Sequence, residues 1–229
     1  LYLQLITDFS GYQIALVLTS LAVAMIVAGP LAGRWTARVG PKVPMVVGCV
    51  LAGVGLLLTD QQLTATTSVA ALAWPLAIAG LGFGIALVTM TQAVLTLVRP
   101  EESGMAASTV NTSRELGGVF GVAVLGAVVN AQLTTGLTEK LVRLHIPLLY
   151  RTVVIQFVTT GGNVTTAENS PGVKGHTQLI AKVLLAAEGS AGHGVHLALE
   201  IAAGIVLAAA VVSAFAARHR VEPVDEAEL

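Results

Sequence analysis

The chain has 229 residues, of which 55% are apolar and only 11% charged, with a net charge of −1. Mean hydropathy is +0.82, whereas an ordinary globular domain carries roughly 25% charged residues. These values exclude a secreted disulfide scaffold, a disordered tail, a nucleic-acid binder and most cytosolic enzymes, and they describe an integral membrane protein. With 12 basic and 13 acidic residues there is no field to attract nucleic acid, so no such partner is expected. The single Cys49 lies in an apolar run and reads as a buried, inert thiol.

In chain order, Leu1-Tyr2-Leu3-Gln4 reads as the end of a helix whose body would precede it, so the chain is expected to be a fragment. No charge then occurs from Phe9 to Gly33, Val43 to Thr59, Gln61 to Val98, Leu116 to Thr138, or Ile201 to Ala217. A helix needs about 20 mostly apolar residues to cross the hydrocarbon core. The windows predict spans over 12–33, 43–59, 69–97, 108–132 and 195–217. The apolar runs are continuous rather than alternating, which fits helices and not a barrel. The fold class expected is therefore all-α: a polytopic membrane helix bundle with five full spans plus the end of a sixth.

Arg34, Arg38 and Lys42 lie in the expected loop 34–42, Arg99 in the loop 98–107, and Arg218 and Arg220 in the tail 218–229. The loop 60–68 carries only Asp60. Basic short segments stay in the cytoplasm, which places 34–42, 98–107 and the carboxy terminus inside and 133–194 outside. Within that outer segment, Leu179, Ile180, Val183, Leu184 and Ala187 have amphipathic helical spacing, and 139–150 reads as a second such helix. Close helix contact in lipid needs small residues; Gly29 and Gly33, Gly80 and Gly84, and Gly117, Gly121 and Gly126 supply them. Pro30 and Pro75 fall inside spans and are candidate kinks.

Ionisable groups in spans are functional candidates because burying them in lipid is costly. Arg114 and Glu115 open the fourth span after Asn111-Thr112-Ser113. Arg114 reads either as an anchor paired with a carboxylate or as a gate. Glu200 lies about one and a half turns into the last span; it reads as a proton site or as a solvated helix end near His193 and His196. Those two histidines are three apart, but no further ligand accompanies them at clear spacing, so no metal site is expected. Thr89, Met90 and Gln92 suit a pocket for an apolar or amphipathic cation, although Thr hydroxyls also bond back to their own helix. No GxSxG, P-loop, HExxH or CxxC pattern occurs, so neither an enzyme nor a cofactor is expected.

Gly33-Arg34-Trp35-Thr36-Ala37-Arg38-Val39-Gly40-Pro41-Lys42 resembles the cytoplasmic loop motif of the major facilitator superfamily, G-x-x-x-D-R-x-G-x-K. Arg99-Pro100-Glu101-Glu102-Ser103-Gly104-Met105-Ala106-Ala107-Ser108, followed by Asn111-Thr112-Ser113-Arg114-Glu115-Leu116-Gly117-Gly118, resembles the opening of the penultimate helix in the fourteen-helix drug:proton antiporters. The resemblance covers nearly all of the chain, as the carboxy-terminal portion of such a transporter. It implies two helix bundles rocking about a midplane site, with proton entry driving export of a hydrophobic or cationic compound. Gly33, Arg38, Gly40 and Lys42 take the loop roles, and Asn111, Arg114, Gly117 and Gly118 those of the penultimate helix. Ala37 stands at the motif's acidic position, and Glu115 replaces the customary Gln. The implied partners are a small-molecule substrate, protons, membrane lipid and the amino-terminal half of the same transporter; the implied location is the bacterial inner membrane. Two alternatives share these features: an exporter of an endogenous lipid, siderophore or antibiotic, and a non-transporting membrane fragment.

Overall fold

A computed structural model describes residues 10–63, 68–143 and 177–216. In chain order the helices are α1 (Gly11–Val39), α2 (Lys42–Gln62), α3 (Val69–Leu95), α4 (Ser103–Arg143) and α5 (Thr177–Ala216), with a short 3-10 turn at Pro100–Glu102 before α4. Each includes a segment long and apolar enough to cross a membrane; in α5 that segment is Gly192–Phe215. No strand occurs among the described residues.

Local chemistry explains several boundaries. Ser10 opens α1 with a capping box: its hydroxyl accepts from the Gln13 backbone N–H at 3.4 Å, and Gln13 Oε1 accepts from the Ser10 backbone N–H at 2.9 Å. Ser68 caps α3 by accepting from the Ala71 N–H at 3.3 Å. The end of α1 is Gly40, at φ 83° and ψ 170°, a conformation a side chain would strain.

The segment 34–42, expected as a loop, is helical through Val39, and only Gly40-Pro41 separates α1 from α2. Likewise Ser103 onward, expected in the loop 98–107, already belongs to α4. Charge ends a hydrophobic window but not a helix, because Arg and Lys are good helix formers. For the same reason α4 continues to Arg143, and α5 is one helix from Thr177, so 177–187 forms no separate surface helix. At about 1.5 Å per residue, each of these two helices is about 60 Å long, twice the hydrocarbon thickness. The readings of residues 1–9, 144–150 and the tail lie outside the described residues.

The helices pack as α1–α3–α2–α5–α4. The pairings give their directions. Along α1 and α3, Gly29 approaches Val88 and Gly33 approaches Gln92, so these two run parallel. Gly48 meets Ala86 and Gly55 meets Ala79, so α2 is antiparallel to α3. Gly53 meets Leu207, and Gly194 meets Val129. Arg34, Arg38, Lys42 and Arg99 therefore share one end of the bundle, and Asp60, His193 and His196 lie at the other.

The interior is built from small residues. Ala24, Ala28, Ala32, Ala52, Ala79 and Ala203 are buried, while Leu18, Ile26, Val27 and Leu31 point outward. This inverts a soluble core, because lipid solvates Leu as well as protein does and association depends on backbone closeness. Gly80 and Gly84 behave as expected: a Cβ on Gly84 would lie 2.8 Å from Ala28 Cβ and 2.9 Å from the Met25 carbonyl. Gly117, Gly121 and Gly126 do not, since nothing lies within 4 Å of a Cβ built on them. Within the described chain α4 packs chiefly on α5, and its glycine face meets no helix.

Candidate functional site

At the basic end, Arg38 is exposed and Lys42 half-buried on either side of the Gly40 turn. Gly33 sits about two turns deeper than Gly40, where a Cβ would come within 3.4 Å of Gln92 Nε2. Neither Arg38 nor Lys42 forms an ion pair among the described residues, in keeping with Ala37 at the position where the motif carries an acid.

The three candidates on α3 do not line one pocket. Thr89 is fully buried, and its hydroxyl lies 3.1 Å from the Thr36 hydroxyl of α1. Gln92 follows on the same helix face, with Oε1 buried and unpartnered. Met90, rotated by about 100°, is 36% exposed. Thr89 and Gln92 therefore act between helices, and only Met90 faces outward.

On α4, Asn111, Arg114, Glu115, Gly117 and Gly118 are all exposed. Arg114 Nη2 donates to Asn111 Oδ1 at 2.6 Å, one turn back. The anchor reading of Arg114 expected a carboxylate, but the structure supplies an amide oxygen. Asn111 orients the guanidinium without neutralising it, and its other N–H donors stay available for an acceptor on a facing surface. Glu115, Gly118, Val119, Val122 and Ala123 line an open groove of about 440 Å³ along the same helix. A cation is thus displayed on a helix whose neighbouring Leu116, Val119 and Phe120 are exposed and apolar.

At the opposite end, Glu200 and His193 are exposed on α5. His196 Nδ1 lies 2.7 Å from Asp60 Oδ1 of α2. Sequence reasoning missed both this pair and Thr36–Thr89, because their members lie 136 and 53 residues apart. One signal was available: Asp60 is the lone charge between Val43 and Val98, and a lone carboxylate at a span end needs a partner. Among the described residues no three His, Cys, Asp or Glu side chains cluster as metal ligands.

Five apolar membrane-length helices, closed on one another through Gly and Ala, define a multi-pass helical membrane protein. Residues 1–138 match the sequence profile of the Major Facilitator Superfamily, and the chain belongs to that family. It is 34% identical over 142 residues to the multidrug transporter protein MdtP of Bacillus subtilis, covering 62% of this chain and 26% of that one. It is 28% identical over 213 residues to the drug efflux pump JefA of Mycobacterium tuberculosis, covering 92% and 42%. It is 27% identical over 233 residues to the tetracenomycin C resistance and export protein of Streptomyces glaucescens, covering 99% and 41%. The chain spans less than half the length of these relatives.

Proposed function

We propose that the chain forms the carboxy-terminal part of a secondary active exporter, which moves hydrophobic or cationic drugs outward by alternating access and is driven by proton entry. The observation that carries this reading is Arg114. A guanidinium oriented by Asn111, on a face with no helix against it among the described residues, is too costly to leave in hydrocarbon. Such a face belongs against protein or a water-filled path. The amino-terminal half of the same transporter is the surface we assign to it, with Gly117 and Gly118 allowing close approach.

In this reading the basic end lies in the cytoplasm of a bacterial inner membrane, by the excess of Arg and Lys there. Gly33, Arg38, Gly40 and Lys42 form the inner gate at the turn between α1 and α2. Glu200, exposed near the other end, is the candidate proton carrier, and Met90 a candidate lining residue. Names of relatives support drug export as the cargo class. A second reading, export of a product the cell itself makes, has the support of the relative named for tetracenomycin C resistance and export.

The test is a substrate panel in vesicles with an imposed pH gradient, using the full-length protein and Arg114→Ala. The expected result is gradient-driven transport by the native protein and its loss in the variant, with membrane insertion unchanged. Normal transport by Arg114→Ala removes Arg114 from the mechanism.

A further inference from the structure

We propose that Asp60 and His196 form a proton-operated clasp between α2 and α5, at the end of the bundle opposite Arg34, Arg38 and Lys42. The clasp rests on the membrane-spanning fold and not on the export reading.

The geometry is specific. Asp60 Oδ1 and His196 Nδ1 are 2.7 Å apart, with the Asp60 side chain 13% exposed and the imidazole 37% exposed. Asp60 stands in the last turn of α2, at the negative end of that helix's dipole, where a carboxylate is disfavoured unless a cation answers it. The close approach of α2 and α5 lies elsewhere, where a Cβ on Gly53 would meet Leu207 Cγ at 2.7 Å. That contact is about two turns away along α2. The His–Asp contact therefore controls the end of the helix pair beyond the glycine seam.

Protonation changes what this contact is. An ionised Asp60 offers only acceptors, so the neutral imidazole must carry its proton on Nδ1 and donate it. A second proton on Nε2 turns the same contact into an ion pair. Imidazoles ordinarily titrate near pH 6.5 and aspartates near pH 3.9. Among the described side chains, few other titratable groups lie near this end. On α5 itself, His193 and Glu200 are both exposed. The end of α4 carries Glu139, which is also exposed. On α2 only Asp60 is ionisable at this end, and α3 brings no charge, because none occurs from Gln61 to Val98. Acidity on this side of the membrane therefore tightens α2 against α5.

The experiment is hydrogen exchange of the amides in the last turn of α2, in the native full-length protein in detergent, at about pH 5.5 and about pH 8 on either side of the imidazole range. Rates are corrected for the intrinsic pH dependence of exchange. Protection in the native protein should be about threefold to fivefold greater at the acidic pH, a factor corresponding to at most about 1 kcal/mol for a partly exposed pair. His196→Gln and Asp60→Asn should abolish the difference. His196→Lys, a fixed cation, should give high protection at both values. Glu200→Gln should leave the difference in place. Equal protection at both pH values in the native protein overturns the clasp, as does a difference that survives in His196→Gln or vanishes in Glu200→Gln. If His196→Gln fails to fold, the Lys variant decides, because a pH-dependent difference surviving there also overturns it. No cargo is needed, so failure here is separate from failure of the transport reading.

Discussion

Replacing Gly82 by Ala probes the contact between α2 and α3. A Cβ at Gly82 would lie 2.6 Å from the Gly48 carbonyl oxygen and 2.7 Å from Ala52 Cα, and it would also press on the Ala52 amide nitrogen. All three are backbone atoms of α2, so no side chain can swing aside. Ordinary contact begins near 3.4 Å, so relieving the Gly48 contact alone needs a local separation of about 0.8 Å, and the nearer Ala52 amide nitrogen demands more. A gap of 0.5–1 Å forfeits about a quarter to a half of each dispersion contact. The loss spreads along the seam to Gly48–Ala86 and Gly55–Ala79, and overpacking of this kind costs about 1–3 kcal/mol. Ala also gains up to about 1 kcal/mol over Gly in helix propensity, which masks part of the cost. Gly204→Ala removes that ambiguity, because nothing lies within 4 Å of a Cβ there and only the propensity gain operates. Thermal unfolding in detergent should rank Gly204→Ala at or above the native protein and Gly82→Ala clearly below it. A Gly82→Ala protein that melts no lower than Gly204→Ala refutes the close approach of α2 and α3.

Thr89→Val removes the buried hydroxyl contact with Thr36 and should cost about 0.6 kcal/mol, and up to about 1.7, the range for polar contacts between membrane helices. In a double-mutant cycle with Thr36→Val, the double variant should be little worse than either single one; full additivity would mean that the hydroxyls do not interact. Gly40→Ala forces a side chain into a backbone region close to glycine-only and should lower stability by about 1–3 kcal/mol, read as an earlier melt of the purified protein. Glu200→Gln should change the pH profile of efflux in vesicles if Glu200 carries a proton; an unchanged profile makes it a solvated helix end.

Much of the architecture is legible in the sequence. Stretches such as Val43 to Thr59 are too long and too apolar to be anything but spans, and the Gly80–Gly84 spacing marked a helix contact. The ends of helices were less legible. Arg34 to Val39 reads as a loop because charge ends the hydrophobic window, yet charge marks only the end of the hydrocarbon and the helix runs on through it. Gly117, Gly121 and Gly126 of α4 read as packing positions, yet among the described residues they face open space. Spacing shows that a close approach is possible and cannot say which surface comes.

Hydrophobic composition by itself determined that this protein spans a membrane as helices, since water excludes such segments and lipid leaves a backbone no other way to satisfy its hydrogen bonds. The loop and penultimate-helix motifs carried the family resemblance in the same way. Only the tertiary structure decided who meets whom. It placed Thr89 against Thr36, left Arg114 clamped by Asn111 on an open face, and brought His196 to Asp60 across 136 residues of chain. Those pairings depend on helix order and rotation, which arise from the shapes of the small-residue surfaces, and no local periodicity encodes them.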